Sequence, residues 1–157
     1  MPDPIPQLHT DLGLDDFLCF ALYAANHAMG RAYKPLLEKL GLTYPQYIVM
    51  VVLWEQDGQT VKSIGERLFL ASNTLTPLLK RLEKMEYVTR QRDPEDERKV
   101  RIFLTPQGKA LEAQAVNIPS CIIKATGLTP ETLDDLQAQM AQLRKNLDEA
   151  VDTGSLS

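Results

Sequence analysis

Two cysteines, Cys19 and Cys121, are the side chains of this sequence best suited to covalent chemistry. A cysteine thiolate is a nucleophile and can be oxidised, although a lone cysteine on an apolar helix face is more often a small buried hydrophobe. The two lie too far apart for a local metal-binding motif, and His9 and His27 have no zinc-site pattern around them. The sequence therefore predicts no metal and no cofactor, and it leaves each cysteine either reactive or inert.

A second group of side chains is suited to nucleic acid. Residues 87–92 and 99–104 alternate in the manner of two strands, and a polar turn joins them. Their basic residues are Arg90, Arg92, Arg98, Lys99 and Arg101. Such side chains suit phosphates and the negative potential of a narrow minor groove. The alternative is a solvated strand edge that its charges protect from pairing.

Charge distribution favours the nucleic-acid interpretation. Residues 60–105 carry a net charge of +3 and the remainder carries −7, which together give the −4 of the whole chain. A basic module on an acidic body is typical of a surface that faces nucleic acid. The sequence therefore predicts double-stranded DNA as a partner.

The elements that must position these basic side chains are those of a winged helix-turn-helix over residues 60–105. Apolar residues recur at helical spacing from Leu75 to Met85, which predicts a helix packed on a core with Ser72 as its N-cap. A shorter helix precedes it, with Thr60 as the predicted cap. The N-terminal turn of such a recognition helix faces base edges. The candidate DNA contacts of the helix and ribbon are Ser72, Asn73, Thr74, Thr76, Lys80, Arg81, Arg90, Asp96 and Arg98.

Helical patterns flank this lobe on both sides. Residues 15–40 predict a helix that Pro35 kinks or ends. Later helices are expected to start at Thr105 and Thr129, each followed by proline, with a disturbance at Pro119. The apolar stripe of the last helix favours a homodimer through residues 10–58 and 106–151. The alternative is that the last helix packs on the first within one chain.

Length and composition fit a mainly α fold with a small β-wing. The 157 residues, 44% hydrophobic, suit a single domain over residues 1–157. No apolar run reaches the roughly 18 residues needed to span a bilayer, and the N-terminus lacks the pattern of a signal peptide. We therefore expect a cytoplasmic protein that has no membrane partner.

Four stretches, met in order along the chain, resemble the MarR family of winged-helix repressors, and within it the branch that senses organic hydroperoxides. They are FLCFALYA (17–24), YKPLL (33–37), LTYPQY (42–47) and NTLTPLLKRLE (73–83). The wing turn DER (96–98) is shared by the wider family. The resemblance runs from residue 16 to about residue 150.

This resemblance implies a redox role for the cysteines. Cys19 matches the peroxide-sensing cysteine of the branch, and Tyr33 and Tyr44 match tyrosines that approach the thiol from the other subunit. Phenols that donate to sulfur favour the thiolate, which attacks a peroxide oxygen. Tyr23, on the same helical face as Cys19, is a candidate third pocket wall. Cys121 matches the resolving cysteine of two-cysteine members, in which the disulfide links subunits, whereas single-cysteine members would need a small thiol.

The resulting prediction is a homodimeric transcriptional repressor, not an enzyme, that binds operator DNA when reduced and releases it when organic hydroperoxides oxidise Cys19. Arg98 is the candidate for the minor groove, with Asp96 orienting it. One alternative is a repressor of the same fold that a non-covalent phenolic ligand releases, with structural cysteines. A second alternative is a thiol peroxidase, which would consume peroxide catalytically.

Overall fold

Threonine N-caps start four of the helices, among them the predicted starts at Thr60, Thr105 and Thr129. In the computed structural model, which describes residues 12–156, Thr43, Thr60, Thr105 and Thr129 each accept a hydrogen bond from the backbone amide three residues on. Each hydroxyl satisfies an amide that has no intrahelical acceptor. These caps begin α2 (Tyr44–Glu55), α3 (Val61–Leu68), α5 (Pro106–Ala115) and α7 (Pro130–Asp152).

The first long helix is α1 (Leu18–Glu38), which follows a short 3-10 turn at Leu14–Asp16. The helix continues through Pro35, so the proline does not end it as one form of the prediction allowed. Gly41 closes the segment with a φ of 68°, a left-handed conformation that glycine adopts at no steric cost. The predicted disturbance near Pro119 lies between α5 and α6 (Ile118–Thr126), with Pro119 as the second residue of the new helix.

The recognition helix is α4 (Ser72–Lys84), and a three-stranded antiparallel sheet completes the lobe. Strands β2 (Val88–Arg92) and β3 (Val100–Leu104) form the predicted wing, with Arg90 opposite Ile102. Sequence analysis missed β1 (Gln59–Thr60), which pairs with the other edge of β3. Two residues carry no alternating pattern, so only their pairing reveals them as a strand. The mainly α winged helix-turn-helix fold is confirmed.

One hydrophobic core holds α2, α3, α4 and the sheet together. Its most deeply buried side chains are Val49, Met50, Leu53, Ile64, Leu75, Leu79, Leu82, Val88 and Ile102. The apolar spacing that predicted α4 is therefore the face of the helix in the core. Backbone contacts divide the chain between Ile118 and Pro119 into two compact units. Within residues 12–156, no helix is long and apolar enough to cross a membrane.

Candidate functional site

The N-terminal turn of α4 presents short polar side chains to solvent. Ser72, Asn73 and Thr74 are exposed, and Lys80 and Arg81 lie exposed further along the helix. The prediction that Ser72 caps this helix is wrong. Ala71 occupies the N-cap position with no side-chain bond, because the extended backbone of the turn ends one residue earlier than expected.

Ser72 is instead the first helical residue, and its carbonyl accepts a hydrogen bond of 2.7 Å from the Thr76 hydroxyl. Ser72 is also exposed, and no side-chain hydrogen bond closes the end of this helix. Pro77, inside the helix, offers no amide to the Asn73 carbonyl four residues earlier. The first turn of α4 thus keeps its polar groups directed outward, as a surface that reads base edges requires.

The wing turn is held by two aspartates. Asp93 accepts a 2.8 Å hydrogen bond from the Glu95 amide, and Asp96 accepts a 3.1 Å hydrogen bond from the Arg98 amide. Asp96 thus fixes the backbone of the turn through the amide of Arg98, and not through its guanidinium. The Arg98 side chain remains exposed at the tip.

One wing arginine, Arg101, already donates hydrogen bonds within the chain. Arg101 donates to the buried Asp93 carboxylate at 2.7 Å and to the Gly58 carbonyl at 3.0 Å. The Glu95 amide and then the Arg101 guanidinium hold the pKa of Asp93 below its ordinary value. Arg101 therefore braces the base of the wing and is a poor candidate for a phosphate contact, although it belongs to the basic pattern of the sequence.

Sequence reasoning missed Lys62 as a member of this surface, and it named Lys99 only in the basic pattern of the wing, not among the candidate DNA contacts. Both line one cavity with four residues that the sequence did single out, Ser72, Thr76, Arg90 and Arg98. The sequence contains only part of the information needed to place Lys62 beside the wing. The cap at Thr60 places Lys62 in the first turn of α3, but the closeness of that turn to the wing follows from the pairing of β1 with β3.

The thiol of Cys19 lies in the first turn of α1 and is exposed, as is that of Cys121 in α6. Tyr23, four residues after Cys19 on the same helix, is 60% exposed and packs against His27 with ring centroids 4.2 Å apart. Exposure excludes the interpretation that either cysteine is a core residue of this single chain. Within residues 12–156, no cluster of His, Cys, Asp and Glu could hold a metal ion.

The other two predicted phenols meet at the far end of α1. The rings of Tyr33 and Tyr44 lie 4.9 Å apart, and the buried Tyr47 lies 6.0 Å from Tyr33. Burial, together with the neighbouring Tyr44 and Tyr47 phenols, raises the pKa of Tyr33 to about 12. The Tyr33 hydroxyl consequently stays protonated, and remains a hydrogen-bond donor, throughout the physiological pH range.

Cys19 and this phenol cluster cannot meet within one chain. Fourteen residues of continuous helix separate Cys19 from Tyr33, or about 21 Å at the helical rise of about 1.5 Å per residue. A hydrogen bond to sulfur needs a separation of only about 3.5–4 Å. Any phenol that reaches Cys19 from this cluster must therefore belong to another copy of the chain.

Comparison with known proteins shows the family to which this chain is related. The family model described as "Transcriptional regulator SarA/Rot" matches residues 31–114. The chain is 53% identical over 136 residues to the HTH-type transcriptional regulator TtmR of Methylorubrum extorquens, covering 87% of this chain and 68% of TtmR. It is 46% identical over 134 residues to the organic hydroperoxide resistance transcriptional regulator of Bacillus subtilis, covering 85% and 91% of the two chains.

A solved structure of reduced AbfR bound to DNA, a protein of Staphylococcus epidermidis, superposes with a TM-score of 0.73. The two chains are 34% identical, and the match covers 88% of this chain and 95% of AbfR. These relatives are transcriptional regulators, and the predicted resemblance to hydroperoxide-resistance regulators is confirmed.

Proposed function

This chain belongs to the SarA/Rot-type family of winged-helix transcriptional regulators, and we propose that it is a homodimeric repressor that organic hydroperoxides release from operator DNA. The observation that carries the proposal is the exposed Cys19 on a helix whose far end bears a phenol cluster. The relative in Bacillus subtilis is named for organic hydroperoxide resistance, and AbfR has been solved both bound to DNA and in a disulfide form.

The chemistry begins with the Cys19 thiolate, which attacks the terminal oxygen of the hydroperoxide. The S–O bond forms, the O–O bond breaks, and the alkoxide takes up a proton and leaves as the alcohol. The Tyr33 hydroxyl of the partner, which stays protonated, donates to the sulfur and favours the reactive thiolate. The Cys121 thiolate then attacks the sulfenic sulfur. The S–S bond forms, the S–O bond breaks, and the departing hydroxide takes up a proton and leaves as water.

Dimerisation supplies the partner's phenols and places two recognition helices on one duplex. Helix α1 exposes Leu18, Tyr23 and Met29, and its N-cap residue Phe17 is exposed as well. Helix α7 has no buried residue in the single chain, although it carries Leu136 and Leu147. Apolar helix faces of this extent are typical of a subunit interface. In a two-fold dimer, recognition helices about 34–36 Å apart fit successive major grooves.

On the DNA, α4 lies in the major groove and Arg98 at the wing tip enters the minor groove. Ser72, Asn73, Thr74 and Thr76 face base edges, while Lys80 and Arg81 approach phosphates. A disulfide between subunits requires sulfurs about 2 Å apart, so its formation rearranges the helices that carry the cysteines. That rearrangement changes the spacing of the two DNA-binding lobes and releases the operator.

The test is a gel shift with a duplex that the reduced protein selects from a random-sequence library. Cumene hydroperoxide should abolish the shift, dithiothreitol should restore it, and a non-reducing gel should show a covalent dimer. Cys19→Ser should bind the same duplex and ignore the peroxide. A Cys19→Ser protein that peroxide still releases would refute the thiol switch, and peroxide consumption far beyond one equivalent per subunit would favour a peroxidase.

A second candidate function is release by a non-covalent phenolic ligand. A cavity of about 310 Å³ adjoins Tyr33 and Tyr44 and is otherwise lined mainly by apolar groups of α1 and the α1–α2 turn. Aromatic walls of this kind accept a small aromatic ligand. Salicylate that releases the duplex equally from wild type and Cys19→Ser would favour this candidate over the thiol switch.

A further inference from the structure

A cavity of about 490 Å³ lies where α3, α4 and the wing strands converge. Helix α3 contributes its N-terminal turn, α4 its first turn, and the wing contributes side chains from both strands and from the segment before β3. Its lining contains four cationic residues and no aspartate or glutamate: Lys62, Arg90, Arg98 and Lys99. The cavity is therefore suited to an anion.

Arg90 has the least ordinary environment of the four. It lies two residues after the buried Val88 on β2, so both side chains project from the same face of the sheet, toward the helices. Its backbone amide donates to Glu83 at 3.0 Å, which fixes the strand beside α4. The Arg90 Nε atom is shielded from solvent and has no hydrogen-bond partner among residues 12–156. A buried guanidinium donor without an acceptor is costly unless a ligand supplies one.

Helix α3 adds positive character at the opposite wall. The Thr60 hydroxyl accepts from the Ser63 amide at 3.1 Å, whereas the amides of the first helical residues, Val61 and Lys62, have no acceptor within the helix. Both residues line the cavity. The start of α3 and Arg90 thus line the same cavity, and both a helix N-terminus and a guanidinium are groups that bind phosphate.

Two other arginines of the lobe already have acceptors. Arg101 is bound to Asp93 and Gly58, and Arg67 lies 3.4 Å from Glu55. Lys62 approaches Glu66 at 3.9 Å, but the Lys62 side chain is 84% exposed, so this ion pair is weak and leaves the ammonium free to move. Four of the ten lysines and arginines in residues 60–105 thus line one cavity, between the two elements that the proposed function places in adjacent grooves.

We propose that this cavity is a seat for one phosphodiester of the DNA backbone, held by Arg90, Lys62 and Lys99, at the crossing from the major groove read by α4 to the minor groove reached by Arg98. The inference rests on the proposed function and assigns Lys62 and Lys99 to DNA binding. A single seated phosphate fixes the register between helix and wing, because phosphate contacts position a protein on the duplex while base contacts specify sequence.

The test combines charge-removing variants with single neutral phosphates in the selected duplex. Methylphosphonate is placed at one position at a time, and Kd is measured from 50 to 300 mM salt for wild type, Arg90→Gln, Lys62→Gln and Lys99→Gln. Lys109→Gln, which removes one exposed charge on α5 away from the cavity, is the matched control. Thermal melting of each variant establishes that it is folded.

For wild type, one methylphosphonate position per half-site should weaken binding roughly ten-fold, the effect of losing a charge-assisted hydrogen bond. Arg90→Gln should weaken binding to the unmodified duplex by a similar factor and lower the salt slope by about 0.9 for each phosphate that the protein no longer neutralises. At that one position, methylphosphonate should have no further effect on Arg90→Gln. Lys109→Gln should retain the full sensitivity of wild type.

Equal methylphosphonate sensitivity in wild type, Arg90→Gln and both lysine variants would overturn the seat. A further outcome is that inorganic phosphate raises the melting temperature of wild type but not of Arg90→Gln, while no methylphosphonate effect depends on Arg90. That result would assign the cavity to a free anion and would also overturn the phosphate seat. If the methylphosphonate effect depends on Arg90 but peroxide does not release the protein from DNA, the phosphate seat would be supported and the redox switch refuted. If peroxide releases the protein from DNA but no methylphosphonate effect depends on Arg90, only the phosphate seat would be refuted.

Discussion

Mixed dimers provide a direct test of which subunit supplies the phenol to Cys19. The two residues lie on one continuous helix, about 21 Å apart along its axis, so the Tyr33 of a chain cannot reach the thiol of that same chain. If a phenol activates Cys19, the partner must donate it. In dimers whose two chains carry different substitutions, this requirement determines the rate at which Cys19 is oxidised.

The size of the effect follows from the hydrogen bond. Burial raises the pKa of Tyr33 to about 12, so its hydroxyl stays protonated and is able to donate a hydrogen bond to the partner's thiolate at neutral pH. A hydrogen bond to a charged group contributes about 1.5–3 kcal/mol. Its loss in a Tyr33→Phe homodimer should slow oxidation of Cys19 roughly ten- to hundred-fold, because about 1.4 kcal/mol corresponds to a factor of ten in rate.

Two mixed dimers, both lacking Cys121, separate the possible arrangements. In the first, one chain carries Cys19→Ser and its partner carries Tyr33→Phe, so the remaining thiol faces an intact Tyr33. In the second, one chain carries both substitutions and the other neither, so the remaining thiol faces Phe at position 33. The first dimer should react at nearly the wild-type rate per thiol, and the second should react as slowly as the Tyr33→Phe homodimer.

Each dimer is isolated with two different affinity tags, and the loss of the Cys19 thiol is followed by mass spectrometry after limiting cumene hydroperoxide. Tyr87→Phe, which removes a hydroxyl outside the cluster, is the control for a general effect of losing a phenol. A slow first dimer and a fast second dimer would show that Tyr33 acts within its own chain. Equal rates in both dimers would show that Tyr33 has no part in activating the thiol.

Three further predictions concern the lobe that binds DNA. Trp54→Phe removes the 3.0 Å hydrogen bond from the indole to the Gly108 carbonyl and should lower the free energy of unfolding by about 1–2 kcal/mol, measured by urea denaturation. Gly108→Ala should cost about 3 kcal/mol or more in the same assay, because a methyl group would overlap the Tyr87 carbonyl, whereas the adjacent Gln107→Ala should have little effect. The lowered pKa of Asp93 means that its stabilising contribution is present above the ordinary carboxyl pKa of 3.8 and is lost as pH falls through the folded value. Melting temperatures recorded from pH 7 to pH 3 should therefore fall less steeply for Asp93→Asn than for wild type, and parallel curves would contradict the assignment.

Local signals account for the parts of the fold that could be predicted. A threonine with a proline or a capping glutamine in the next three residues marks a helix start. The apolar spacing of α4 identifies the buried face of that helix. The same local reasoning misplaced the start of α4 by one residue. Serine is a favourable cap in general, but here the extended backbone that a cap requires lies at Ala71.

Tertiary pairing accounts for what sequence reasoning missed. The bond from Arg101 to the Gly58 carbonyl joins residues 43 positions apart, and it removes Arg101 from the set of available cations. Lys62 and Lys99 belong to one cavity only because β1 aligns the start of α3 with β3. Composition shows that this lobe is basic, but only the fold shows which charges converge.

The phenol cluster joins the core of the DNA-binding lobe through the buried Tyr47, so the proposed redox switch would have a route from the partner's thiol to the wing. Tyr47 is buried and lies 6.5 Å from Tyr44 and 6.4 Å from Trp54, ring to ring. Trp54 bonds Gly108, whose backbone abuts the residue before β2 too closely to admit even a methyl group. Close-packed groups of this kind transmit a displacement instead of absorbing it. If the proposed oxidation displaces Tyr44, we expect α5 or the base of the wing to move with it, and the single tryptophan lies at the junction where its fluorescence would report that movement.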